Sequence, residues 1–332
     1  MDELKKILIF RTDRLGDFII SKAALNNLIM SNIFSLDIVV SSKNYDYVKN
    51  FKSFNKIYIY ENNLLNFFLK NKIIFKKYDY ILIHDGKRRS TLISFLIFGK
   101  KISLIKFSKS LFFYKFLKFF NFNTYFNSEN FKLLDNLNFL NLLIGNKNSN
   151  IQNNFYFDYT FDDSFQIDNK KYCILHLDEK WFKDYYYPDF TYPVWSNKFF
   201  YKIIETIKSK FNLPVIITTG SVKVKFINQL IEDHFYKSNE NVYHHKEKHE
   251  KLILLNNLSF RQIEFVLKEN CEILISCEGG VTHISHNLNI KTFAFVEPKR
   301  DNFYNHWTGH MKKITLCNRS NNIGILETLN KL

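Results

Sequence analysis

The run ILIFRTDRLGDFIIS, residues 7–21, decides the fold of this chain. Ile7-Leu8-Ile9-Phe10 is apolar without alternation, the pattern of a parallel strand buried on both faces. Gly16 then allows a turn, and Ile20, Ala24 and Leu28 recur at helical spacing on one face of the segment that follows. Asp17 stands at the start of that helix. A second run of the same design lies near the other end: ILISCEGGVTHISHNLNIKTFAFVEP, residues 273–298. Here Ile273-Leu274-Ile275 is the strand, Gly279-Gly280 the turn, and Thr282 to Leu288 a helix whose unpaired N–H groups can receive an anion. Each motif reads as strand, tight turn, helix start.

Between them, apolar and β-branched runs recur at 37–41, 57–60 and 80–84, then at 172–176, 215–218 and 292–296, separated by segments of helical length. Such alternation predicts doubly wound parallel sheets. The Asn-rich stretch from Gly145 to Asn154 and the acidic stretch from Asp158 to Asp168 form little core and mark a boundary. The expectation is therefore two Rossmann-like α/β domains, 1–150 and 151–332, with the last helix returning to the first domain. At 332 residues and 46% hydrophobic, the chain is long enough for two cores. No internal repeat is visible in the sequence.

The quoted residues resemble glycosyltransferase family 9, the ADP-heptose:lipopolysaccharide heptosyltransferases. That family carries R-x-D-x-x-G-D after its first strand, matched here by Arg11, Asp13, Gly16 and Asp17. Near its C-terminus it carries D-[TS]-G-x-x-H-x-A, matched by Gly280 and His283, with Glu278 in place of the aspartate and Gly279 in place of the hydroxyl residue. The resemblance implies a GT-B fold, two Rossmann-like domains facing a central cleft, acceptor in the first and nucleotide sugar in the second. It implies an inverting, metal-independent transfer of a heptose or related sugar from a nucleotide donor, ADP-heptose by resemblance, to a lipopolysaccharide-core or similar surface-glycan acceptor. Asp17 is then the catalytic base and Lys180 the cation that meets the donor phosphates.

Read from the residues themselves, Asp17 also suits a helix-terminal carboxylate, worth about 0.5–2 kcal/mol at such a position. A base is needed because a sugar hydroxyl attacking an anomeric carbon must lose its proton. Lys180 would neutralise charge growing on the departing diphosphate. Gly279 and Gly280 let a diphosphate approach the backbone, and Thr282 and His283 follow with hydroxyl and imidazole donors. Glu278 suits a ribose hydroxyl. Gly220 and Ser221, after the strand at 215–218, offer further nucleotide contacts. Arg11, Asp13, Arg14, Arg88 and Arg89, beside Lys87, form a candidate acceptor site for phosphates or an acidic sugar. Tyr185, Tyr186 and Tyr187 offer ring faces for a sugar or base.

A net charge of +15 points to a polyanionic partner: a phosphorylated glycolipid or oligosaccharide, an anionic membrane or nucleic acid. An excess of Lys, Asn, Ile, Phe and Tyr is also what AT-rich codon usage produces. The stretch 100–122 interleaves six lysines with aromatics and leucines and no acid, a pattern for a helix lying on the inner membrane surface. No apolar run approaches the roughly 20 residues of a membrane span. No C-x-x-C and no signal-peptide layout occur, so a reducing cytoplasm is the expected setting, with peripheral membrane contact. The lack of D-x-D, G-x-G-x-x-G, zinc spacing and a serine elbow argues against metal-dependent sugar transfer, dinucleotide redox chemistry and serine hydrolysis. The expectation is accordingly no cofactor, no metal and no nucleic-acid partner. The alternatives are a transferase of the same fold with another donor or acceptor, and a non-catalytic basic protein that binds anionic lipid or nucleic acid.

Overall fold

The computed structural model describes residues 4–49, 51–61, 63–105, 111–119, 122–126, 132–146, 171–182, 193–247, 252–297 and 301–332. The chain forms two compact units, Met1–Tyr159 with Asn302–His310, and Thr160–Asp301 with Met311–Leu332. The first unit runs β1 (Lys5–Arg11), α1 (Leu15–Met30), β2 (Phe34–Ser41), α2 (Ser42–Val48), β3 (Lys56–Tyr60), α3 (Leu64–Asn71), β4 (Lys77–Ile83), α4 (Arg88–Phe95), β5 (Phe98–Ile105), α5 (Leu111–Phe119), β6 (Phe122–Phe126) and α6 (Leu133–Leu143). Its six strands are all parallel, in the order β3-β2-β1-β4-β5-β6.

The apolar run at 7–10 is fully buried because β1 lies between β2 and β4, with helices on both faces. Leu8 and Phe10 face a core shared with Phe67 of α3, Ile93 of α4 and Leu117 of α5, so these three helices form one layer. On the opposite side, α1 packs against α2 and α6. Ile20, Ala24 and Leu28 are buried as their spacing implies, but so are Phe18, Ile19 and Leu25: α1 is covered on most of its circumference. The helix starts at Leu15, so Gly16 belongs to its first turn and the chain reverses before it, at Thr12–Arg14.

The second unit runs β7 (Tyr172–Leu177), α7 (Asn197–Phe211), β8 (Val215–Thr219), α8 (Lys225–His234), β9 (Phe235–Asn239), β10 (Val242–His245), β11 (Ile253–Leu255), α9 (Phe260–Asn270), β12 (Cys271–Cys277), α10 (Gly280–Asn287), β13 (Lys291–Val296), β14 (Ile314–Asn318) and α12 (Asn322–Lys331), while α11 (Asp301–Thr308) falls mostly in the first unit. Its sheet order is β14-β13-β12-β7-β8-β11-β10-β9. Leaving aside the antiparallel β9–β10 hairpin at the edge, this is the order of the first unit repeated, with β7 and β12 in the places of β1 and β4. The fold is duplicated although the sequence is not. The terminal helix α12 packs on α7.

Three expectations change. The stretch 100–122 is not one helix: Lys100–Ile105 completes β5, Leu111–Phe119 forms α5, and Phe122 opens β6. Pairing with β4 imposes the strand, and Gly99 (φ 154°) makes it possible, because a Cβ there would meet the Tyr78 carbonyl at 2.8 Å. The His-rich stretch from Tyr243, whose mixed charges by themselves read as a solvated loop or helix, begins inside β10, since Val242 to His244 pair with β11. Finally, β5, β6, β9 and β14 carry lysine, asparagine or serine among their apolar residues, which hides strand periodicity. The expected boundary at 150 and the Tyr185–Tyr187 ring faces lie outside the described residues.

Candidate functional site

In a sheet of this order, the two central strands feed chains that leave in opposite directions, and their carboxyl ends open a crevice where ligands bind. Each unit has one such point. Between them they hold nearly all the candidate residues.

In the first unit, Phe10 of β1 is in register with Ile83 of β4, so residues 11–17 and 84–89 emerge side by side. Arg11 is completely buried. Its Nη1 donates to the His84 carbonyl at 2.8 Å, Nε donates to the Asp17 carbonyl at 3.1 Å, and Nε lies 3.4 Å from Asp13 Oδ1. Nη2 also donates to the Asp17 carbonyl. One guanidinium thus ties the end of β4 to the first turn of α1. Asp17, partly buried, is the third residue of that helix, where the macrodipole favours a carboxylate. Arg14 and Arg88 are exposed, whereas Arg89 reaches back to Thr12, donating to its carbonyl and, through Nε at 3.1 Å, to its hydroxyl. Arg89 also lies over the Tyr60 ring.

Asp85, which sequence reasoning left unassigned, is the hub of this crevice. Fully buried, its Oδ2 accepts from Thr12 N at 3.0 Å, Thr12 Oγ1 at 2.7 Å and Ser90 Oγ at 2.6 Å, while Oδ1 accepts from Lys87 N at 3.0 Å. Beside it, His84 is buried and neither ring nitrogen has a hydrogen-bond partner among the described residues. Burial, reinforced by the Arg11 charge, pushes its pKa down to about 3. The available signal was position: both residues directly follow an apolar strand.

In the second unit, β7 delivers Asp178 and Lys180, and β12 delivers Glu278 to His283. Asp178 caps a 3-10 turn, its Oδ1 accepting from Lys180 N at 3.1 Å. The Lys180 ammonium donates to the Glu278 carbonyl. Burial alone would lower the pKa of this amine, but Glu278 and Asp178 outweigh it and hold the group protonated. Burial pushes Asp178 up to about 7 against the pull of Lys180. Glu278 goes the other way: burial would raise it, but the hydrogen bond from His283 and the Lys180 charge bring it below its ordinary value. His283 Nε2 lies 3.4 Å from Glu278 Oε1.

Gly279 explains the position of the lysine. A Cβ on residue 279 would lie 2.6 Å from Lys180 Nζ, so the ammonium occupies the space that any side chain there would take. Gly280 is the first residue of α10 rather than part of the turn. The fully buried Thr282 serves the loop: its hydroxyl donates to the Gly279 carbonyl at 2.7 Å and accepts from Gly279 N at 3.2 Å. Arg319, also unassigned from sequence, is the counterpart of Arg11. Buried after β14, it donates to the Lys180 carbonyl and pairs with Glu297. A lone arginine beyond an unrecognised strand gave no signal.

Gly220 lines a cavity of about 280 Å³ at the carboxyl ends of β8 and β11, with Thr219, Asn228, Glu240, Asn256 and Asn257. Thr219 holds its rim together, donating to Asn256 Oδ1 at 2.6 Å and accepting from Asn257 N at 2.9 Å. Ser221 is exposed and does not line it.

No protein-family model and no curated protein sequence matches this chain. Solved structures do. Heptosyltransferase WaaC of E. coli, determined with ADP, superposes with a TM-score of 0.66 at 12% identity, over 98% of this chain and 99% of that one. A glycosyl transferase family 9 structure from Veillonella parvula gives 0.67 at 11%, over 95% and 86%. The E. coli ADP-heptose lps heptosyltransferase II gives 0.64 at 13%, over 99% and 98%. At such identities the likeness is one of fold: the chain has the GT-B fold of these glycosyltransferases. A UDP-N-acetylglucosamine 2-epimerase shares the fold more distantly, with a TM-score of 0.52 at 12% identity over 98% of this chain and 86% of that one.

Proposed function

We propose that the protein is a glycosyltransferase of the family 9 type, using a nucleotide sugar as donor. The observation that carries this reading is the second unit's crevice, where a protonated, partly buried lysine, a glycine without Cβ and the N-terminus of α10 converge. Such a site suits a diphosphate, and the cavity beside Thr219 and Asn257 suits the attached nucleoside. ADP is the nucleotide bound to the similar WaaC structure, which favours ADP-heptose as donor. The acceptor is an anionic sugar, of lipopolysaccharide-core or similar surface-glycan type, met by Arg14, Arg88 and Arg89. Arg11, completely buried and donating to the Asp17 and His84 carbonyls, positions Asp17 instead.

In this reading Asp17 removes the proton of the acceptor hydroxyl as its oxygen bonds to the anomeric carbon. The bond from that carbon to the diphosphate breaks, and its electron pair leaves with the phosphate, toward Lys180 and the first N–H groups of α10. A single displacement inverts the anomeric centre, and these side chains do the work without a metal. The test is titration with ADP, UDP, GDP and CMP, followed by turnover of the corresponding sugars. Asp17→Asn should bind nucleotide like wild type and lose about 10²–10⁴-fold in turnover. Near-normal turnover by this variant would defeat the proposal, and failure of wild type to bind any nucleotide would favour a non-catalytic protein.

A further inference from the structure

The chain's positive charge is not spread evenly. Residues 64–119 carry thirteen Lys and Arg against Asp79 and Asp85, a net +11 out of +15, and Asp85 is buried. Residues 12–55, which build α1, β2 and α2 on the other side of the first sheet, carry five against four. Codon bias would enrich both alike. The charged segment builds β4, β5 and the layer α3, α4 and α5, which carries Lys70, Arg88, Arg89, Lys115 and Lys118, and this layer with its adjoining turns and the start of β5 exposes large apolar side chains: Leu65 at 74%, Leu69 at 75%, Phe75 and Phe119 at 81%, Phe98 at 69% and Leu96 at 57%. Leu65 and Leu69 are one turn apart on α3, hence on one face. Lys70, Lys72, Lys115 and Lys118 are exposed among them.

We infer that this layer is a docking surface for a bilayer bearing anionic lipid headgroups, broader than the stretch 100–122 alone. Exposed leucines and phenylalanines lose their contact with water by entering the headgroup boundary, while lysines, with long apolar stems, reach the phosphates. Each lysine near an anionic surface adds to the attraction. No helix among the described residues is long and apolar enough to span the membrane, so the contact is peripheral. Nucleic acid would match the charge but gain nothing from Leu65 and Leu69. The inference does not depend on the transferase reading; if both hold, Lys87–Arg89 at the start of α4 belongs to the membrane-facing layer, which fits a lipid-linked acceptor.

The test is flotation of the full chain with vesicles of phosphatidylcholine alone or mixed with phosphatidylglycerol. Wild type should float only with the anionic vesicles. Leu65→Ser/Leu69→Ser and Lys115→Gln/Lys118→Gln should each lower the bound fraction about tenfold, with thermal unfolding and ADP binding unchanged. Equal recovery on neutral vesicles, or variants that float like wild type, would overturn the inference. So would polynucleotide binding that the lysine pair weakens and the leucine pair leaves intact, which would assign the surface to nucleic acid.

Discussion

Replacing Gly279 with alanine puts a methyl group where the Lys180 ammonium lies. The added Cβ would stand 3.7 Å from Cε, an ordinary contact, but 2.6 Å from Nζ, closer than real Cβ contacts come, so either the Cβ or the ammonium must move. The backbone has no reason to: φ at 279 is 168°, extended and open to any residue. The lysine is the flexible partner and swings away, giving up its charge-assisted hydrogen bond to the Glu278 carbonyl. Losing such a bond, and with it the placed cation, costs about 1.5–3 kcal/mol, or about 10- to 150-fold in the dissociation constant of a nucleoside diphosphate. Titration calorimetry with ADP measures this, and the melting temperature should shift by only a few degrees. A double-mutant cycle sharpens the test, because in a Lys180→Ala background the Gly279→Ala change should have almost no further effect. Wild-type affinity in the single variant, or losses that simply add in the cycle, would refute the reasoning. It also accounts for glycine at a position where the motif this run resembles has a hydroxyl residue: a side chain there would clash with the lysine as placed here.

Other perturbations probe the supporting groups. Arg11→Met strips the tie between Asp17 and His84 and removes the buried Arg11–Asp13 ion pair, a loss of about 3–5 kcal/mol measurable by urea unfolding. If Arg11 instead only contacted acceptor, stability would be unchanged. Arg319→Met should weaken ADP binding together with stability, because it frees the Lys180 loop; unaltered binding would remove it from the site. Asp178 holds its proton to about pH 7 in the folded state but only to about pH 4 when unfolded, so its contribution falls as pH rises across that window. Unfolding midpoints of Asp178→Asn should therefore gain on wild type between pH 5 and pH 8, and a constant difference would count against the shift. His84 and His176, both lowered to about 3, act in the opposite sense. Each favours the unfolded chain by up to about 1.4 kcal/mol per pH unit below about pH 6.5, so acid should destabilise the protein with uptake of protons, as urea titrations from pH 7 to pH 4 would show.

The residues that a sequence displays are those that chain connectivity places. A strand segment buried on both faces is mostly apolar, which is why the central runs of β1, β4, β7 and β12 stand out, and whatever follows a central strand emerges at the crevice. For that reason the placement of Asp17, Lys180 and Glu278 to His283 at the ends of central strands, with Arg14 and Arg88, was legible in the sequence, as a position rather than as a role. What only the tertiary structure decided depends on neighbours far along the chain. Arg319 and Lys180 are 139 positions apart, and Thr12 and Asp85 are 73 apart, so neither hydrogen bond leaves a local pattern. The polar edge strands β9 and β14 gain their hydrogen bonds from a sheet already formed rather than from their own hydrophobicity. The duplication of strand order is likewise invisible in sequence, since the same order can be built from any residues that keep central strands apolar and edge strands paired. Gly279 belongs to both lists: sequence marks it as a phosphate-loop glycine, but only the position of the Lys180 ammonium shows which atom its missing side chain makes room for.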